Sequence, residues 1–204
     1  MSHSVAAKLL NEIVQRGRGY VFTPAEVLHL GSRAAVDQGL SRLVKAGRIK
    51  RLARGVYAYP ERNSLVGEVP PSPTAVAEAL ARAQGAQAQV SEATAANALG
   101  LTTQVPGRVI YLTNGTPRRR RVGNTIIEFK RASPRRLAGA GTPAGTVLQA
   151  LRHLGPAGAN EQVAEKLRET LPRRQRQALR ALLPLAPAWM RPTMHTIMAT
   201  PSRG

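Results

Sequence analysis

Cysteine is absent from the chain, which removes disulfides, thiolate zinc sites and cysteine nucleophiles in one step. Aromatic residues are scarce: one Trp, four Tyr and two Phe, so a core has to be packed from Leu, Val, Ile and Ala. Acids are few and nearly all of one kind. Asp37 is the single aspartate, and ten glutamates are scattered along the sequence. A two-metal nuclease or polymerase site needs carboxylates converging on its ions, and here it would have to be assembled from distant Glu alone. The four histidines, His3, His29, His153 and His195, stand apart without ligand spacing, so we expect no metal and no other cofactor. Long apolar runs are missing too. The stretch 181–190 is broken by Pro184 and Pro187, and residues 1–14 lack the apolar segment of a secretory signal. These absences describe a soluble, cytoplasmic protein with no membrane partner and no recognisable catalytic constellation.

What the chain has in excess is positive charge. Thirty Lys and Arg against 11 acids give a formal net charge of +19 and a pI near 11.8, so its partners should be polyanions. Before Pro70 there are 11 basic and 5 acidic residues (+6), and from Pro70 onward 19 and 6 (+13). Both halves are cationic, which excludes a basic tail on a neutral body and fits a nucleic-acid footprint spread over two domains. An anionic membrane surface would require a basic amphipathic helix with large apolar side chains, and none qualifies. With 43% hydrophobic and 20% charged residues the 204-residue chain can bury a core and is not disordered. That length allows one large domain or two small ones, and we favour two.

Local patterning divides the chain. Val5, Leu9, Leu10, Ile13 and Val14 form a helical stripe that Gly17 and Gly19 end. Thr23-Pro24-Ala25-Glu26 reads as a capping box opening a short second helix, which stops at Gly31. Ser32 caps a third helix with Val36, Leu40, Leu43 and Val44 inward, and Gly47 closes it. Two β-prone runs, 49–52 and 56–59, follow around Arg54-Gly55. Three helices and a cationic hairpin are the order of a winged helix-turn-helix. The prolines at 70, 71 and 73 suggest an extended linker. The expected organisation is therefore α+β: a winged helix-turn-helix over 1–62, a linker over 63–73, and a mixed α/β domain over 74–204. In the second domain, runs 108–113 and 122–132 predict an antiparallel strand pair, with helices from 74, 91 and 142 onward covering it.

On the third helix, positions spaced by 100° leave Ala34, Gln38, Ser41, Arg42 and Lys45 outward, as a groove-facing helix requires. Small Ala34 permits close approach, Gln38 can pair with adenine, and Arg42 with guanine or phosphate. Ser32 and Arg33 sit at the helix start, where phosphate is favoured. The same polar face would also suit plain solvation. Lys50, Arg51 and Arg54 tip the balance, because they place three cations in a hairpin without a compensating acid. Arg118, Arg119, Arg120 and Arg121, with Lys130 and Arg131, form the densest charge and read as a contact for phosphate or an acidic partner, or else as a solvated hairpin end. Arg173, Arg174 and Arg176 look ordinary for an exposed helix, and Trp189 reads as a packing anchor. Gly139 to Ala144 fits the dinucleotide glycine pattern, but no strand precedes it, so these glycines read as a loop before a helix.

The segment Phe22-Thr23-Pro24 through Gly31, the helix Ser32 to Ala46 and the wing Arg54-Gly55-Val56-Tyr57 resemble the amino-terminal domain of AbiEi-type antitoxins. Tyr111 to Gly115, Arg119 to Arg121, Gly123-Asn124-Thr125-Ile126 and Phe129-Lys130-Arg131 are similar to the carboxy-terminal domain of the DUF6088 branch of that group. The resemblance spans about residues 5 to 155, with no family motif beyond Gly155. It implies a two-domain antitoxin that binds double-stranded DNA at its own operator, represses its operon, and counters a nucleotidyltransferase toxin encoded beside it. The residues alone lead to a basic, winged-helix DNA-binding protein that is not an enzyme. A stand-alone winged-helix regulator with an effector-binding second domain is the alternative, and the neighbouring gene distinguishes the two.

Overall fold

The structure, a computed structural model, describes residues 4–63, 67–104, 108–123 and 125–199. His3 and Asn124, and residues 64–66 of the expected linker, lie outside them. The fold is mixed α/β and divides into two compact units, Met1–Ala86 with Arg119–Ile127, and Gln87–Arg118 with Glu128–Gly204.

The first unit opens with α1 (Val5–Gln15), whose first turn is capped by the Ser4 side chain accepting from the Ala7 N–H. Strand β1 (Val21–Phe22) leads into a 3-10 segment, Pro24–Leu30, where the Glu26 carboxylate accepts the Thr23 N–H at 2.8 Å. That bond is one half of the expected capping box, although the segment winds as 3-10 rather than α. Next come α2 (Arg33–Lys45), β2 (Lys50–Ala53) and β3 (Val56–Ala58). The three strands form an antiparallel sheet in the order β1-β3-β2. Beneath it, Leu9, Ile13, Phe22, Val27, Val36, Leu40, Leu43 and Ile49 close a core. Phe22 stacks on both Tyr20 and Tyr57, so three of the chain's few aromatics are used here.

Two short strands pair where the extended linker was expected to begin, β4 (Glu61–Asn63) at its start and β5 (Gly67–Val69) within it. Pro73 stands at the first position of α3 (Pro73–Arg82), where its missing N–H costs nothing.

The second unit contains β6 (Ala88–Val90), α4 (Glu92–Ala98) and β7 (Val109–Thr113). Strands β8 (Arg118–Val122) and β9 (Thr125–Arg131) are divided between the two units. Among the described residues these strands make one sheet in the order β6-β7-β9-β8, with β6 and β7 antiparallel. Here the structure sharpens two expectations. The four arginines, read as a contact surface or a solvated hairpin end, lie on an edge strand, hydrogen-bonded to β9 on one side and tolerant of charge on the other. The runs 108–113 and 122–132, expected to form an antiparallel pair, hold β7 and β9, which are neighbours in the sheet and are joined where both strands end. There the Ala132 N–H donates to the Thr113 carbonyl at 2.9 Å.

Helix α5 (Pro143–Gly158), broken at Gly155, is the spine of this unit. It packs against α4 and α7 (Arg173–Ala178), while α6 (Glu161–Thr170) and α8 (Arg191–Met198) pack against each other. Leu148, Leu151, Leu167, Leu179, Met190, Met194 and Ile197 are fully buried among them, and Trp189 packs against this cluster as a structural anchor.

Candidate nucleic-acid interface

Helix α2 presents the residues selected from the sequence. Ser32, Arg33, Ala34, Gln38, Ser41, Arg42 and Lys45 are all exposed, while Val36, Leu40 and Leu43 are buried. Ser32 acts as the N-cap, its hydroxyl accepting the Ala35 N–H at 3.3 Å. Its oxygen accepts that bond, while its own O–H and the other N–H groups of the exposed helix start remain for an anion. The helix lies so close to α1 that a Cβ at Gly39 would come within 2.7 Å of Leu9 Cδ1, which accounts for a glycine in mid-helix.

The outward face is not uniformly cationic. Arg33 Nε donates to Asp37 at 2.8 Å, an exposed pair one turn apart, so the chain's only aspartate offsets the first cation of the helix. On β2, Lys50 Nζ meets Glu68 Oε1 at 2.6 Å. An acid distant in sequence thus compensates one of the three wing cations, contrary to the reading of an uncompensated hairpin. Arg42, Lys45, Arg51 and Arg54 are exposed and form no ion pair among the described residues. Arg48, exposed just after Gly47, is a further cation that the helical face pattern did not select, because it lies past the helix end. Gly55, at φ 73°, turns the chain directly after Arg54, a conformation that favours glycine.

Elsewhere in the first unit a polar network fastens α3 to β1 and the Pro24–Leu30 segment. Arg82 donates to Glu26 Oε1 at 2.9 Å and to the Val21 carbonyl at 2.8 Å, and Tyr20 donates to the same Glu26 oxygen at 3.4 Å. The guanidiniums of Arg16 and Arg82 lie 5.8 and 5.7 Å from the centre of the Tyr20 ring. Burial raises the Tyr20 pKa, and the Glu26 charge adds to it. Burial opposes the charge on Arg82, but the hydrogen bond and charge of Glu26 outweigh it and hold its pKa above the ordinary value. Nearby Glu78 is raised by burial, with Arg82 partly opposing.

The arginine run of β8 is less homogeneous than its sequence. Arg119, Arg120 and Arg121 are exposed, as are Lys130 and Arg131 of β9. Arg118 is half-buried, its guanidinium 5.2 Å from the Phe129 ring centre, so it has a packing role. Arg173 and Arg174 are exposed as expected, but Arg176 is buried. Its guanidinium donates to the Ala199 carbonyl at 3.1 Å and secures the end of α8. Helical periodicity alone could not distinguish it from its neighbours.

Elsewhere in the second unit, Gly139 to Ala144 forms a turn and helix start with no strand before it. His29 pairs with Glu12 at 2.9 Å, and no group of three or more His, Cys, Asp or Glu could hold a metal ion among the described residues. No helix among them is long and apolar enough to cross a membrane.

Residues 8–179 match one protein family, DUF6088, described as a family of unknown function, and the chain belongs to it. The match continues through α5 and α6 to Leu179, past the point where the sequence motifs give out. Neither a curated protein nor a solved structure matches the chain.

Proposed function

We propose that this protein is a sequence-specific DNA-binding regulator whose first unit is a winged helix-turn-helix, with α2 as the groove-reading helix and the β2–β3 turn as the wing. The observation that carries this reading is that all ten residues selected for DNA contact are exposed, on α2 and on the cationic β2–β3 segment. The element order supports it: helix, short strand, helical turn, helix, then two strands that complete a sheet with the first. Gln38 and Arg42 read bases, while Lys45, Arg51 and Arg54 hold phosphates. The protein is not an enzyme in this reading. Its resemblance to AbiEi-type antitoxins extends the proposal to autorepression of a toxin-antitoxin operon and to control of a nucleotidyltransferase toxin encoded next to it.

Gel shifts with duplex from its own promoter, against shuffled duplex, test the DNA reading. We expect the promoter to bind about a thousandfold more tightly or better. Equal affinity for both duplexes would overturn it. The antitoxin extension is tested separately by expressing the adjacent gene: growth should stop without this protein and continue with it.

A further inference from the structure

The first unit contains a cavity of about 300 Å³ whose apolar walls the DNA reading does not use, although Lys50 and Arg51 of the proposed wing stand at its lining. Its walls are apolar: Leu52 of β2, Pro71 and Pro73 before α3, Val76 of α3, and Ile127 of β9, all belonging to the first unit. Val76 and Ile127 are 3% and 1% exposed, so two of the five come from well-packed positions. Lys50 and Arg51 also line it. Lys50 is occupied by Glu68, whereas Arg51 forms no ion pair among the described residues, so the lining carries a cation beside apolar walls. Volume, wall chemistry and charge together meet the requirements of a small-ligand site with one orienting polar group.

We infer that this cavity binds a small apolar carboxylic acid, its hydrocarbon body against Leu52, Pro73, Val76 and Ile127 and its carboxylate paired with the Arg51 guanidinium. An uncharged ligand would satisfy the walls but leave Arg51 without its partner, and a strongly polar anion would satisfy Arg51 but not the walls. The site therefore selects for both features at once. A guanidinium–carboxylate bond with a charged donor and acceptor is strong enough to discriminate acid from amide.

The experiment titrates the full chain with 1-naphthoate, octanoate and 1-naphthamide by calorimetry, without DNA, so that its outcome does not depend on the DNA reading. At least one acid should bind at one site per chain, and 1-naphthoate about tenfold or more tightly than its amide. Arg51→Gln should reduce that preference to about twofold or less while leaving amide binding unchanged. Leu52→Trp, which fills the cavity, should abolish binding of acids and amide alike with an unchanged circular dichroism spectrum. Thr125→Phe, filling it from the opposite strand, serves the same purpose if Leu52→Trp does not fold. The proposal is overturned if neither acid binds, if acid and amide bind equally, or if a folded cavity-filling variant binds as the parent does.

Discussion

A side chain on Gly145 has nowhere to go. A Cβ there would stand 2.0 Å from the Gly139 carbonyl oxygen and 2.5 Å from its carbon, both backbone atoms that no rotamer change can move aside. Gly139 itself sits at φ 73°, so the turn that brings it against α5 depends on glycine at both ends. The glycines of this segment, which formally fit a nucleotide-binding pattern, are thus explained by close packing of a turn on a helix. Gly145→Ala should destabilise the protein by about 2 kcal/mol or more despite alanine's higher helix propensity, a loss measurable by urea denaturation. Single residues of the proposed interface separate by role in the same manner. Gln38→Ala and Arg42→Ala should each cost about 1 to 3 kcal/mol on the promoter and relax the preference at particular base pairs. Arg54→Ala should weaken all duplexes alike and shallow the salt slope by about one unit. Binding selections on randomised duplex would show this, and uniform losses from all three would remove α2 as the reader.

Among the elements, α3 depends on charge as well as on packing. Its inner face, Val76, Ala77 and Leu80, is buried, while Arg82 in its last turn reaches both Glu26 and the Val21 carbonyl. Arg82→Met should cost about 1 to 2 kcal/mol, kept low because the pair is partly open to solvent. Glu78, on the same helix, works against stability. Its folded pKa is raised, so the folded state holds the proton more tightly than the unfolded chain does. Stability therefore falls as pH climbs from the ordinary carboxylate value, about 4.3, through the raised one. Glu78→Gln should melt at the same temperature as the parent near pH 4 and at a higher one at pH 7, a difference that calorimetric scans at the two pH values would resolve. The elements differ in how legible they were. Helix α2 could be read nearly to its ends because Ser32, the apolar stripe and Gly47 all agree. Strand β1, two residues long, has no pattern of its own and exists only through pairing with β3. Strand β8 was hidden by its four arginines, a charged run with no apolar alternation that an edge strand tolerates. Likewise the exposure of Ala34, Gln38, Ser41, Arg42 and Lys45 on α2 was legible from periodicity, whereas the offsets by Asp37 and Glu68 were not. The first needs a side chain to choose its rotamer, and the second joins positions 18 residues apart.

For the whole molecule, a net charge of +19 makes salt the sharpest probe of what the cations touch. Each phosphate neutralised contributes about −0.9 to the slope of log K against log salt. Phosphate contacts from Lys45, Arg51 and Arg54 would give a slope of about −3 per bound chain, because each neutralised phosphate releases its counterions. Additional phosphate contacts from the exposed edge of β8 would steepen it further. Replacing Arg119, Arg120 and Arg121 together by Gln should leave the fold intact, since all three are exposed. We expect the variant to lose promoter affinity and to shallow the slope by about two to three units, the signature of phosphates no longer neutralised. The measurement is a fluorescence-anisotropy titration of both proteins over several salt concentrations, with promoter and shuffled duplex. Both duplexes should lose affinity by similar factors, because phosphate contacts carry no sequence information. A slope equal to the parent's would exclude these arginines from the DNA interface. Loss of toxin control in the same variant, with the slope intact, would assign the β8 edge to an acidic protein partner.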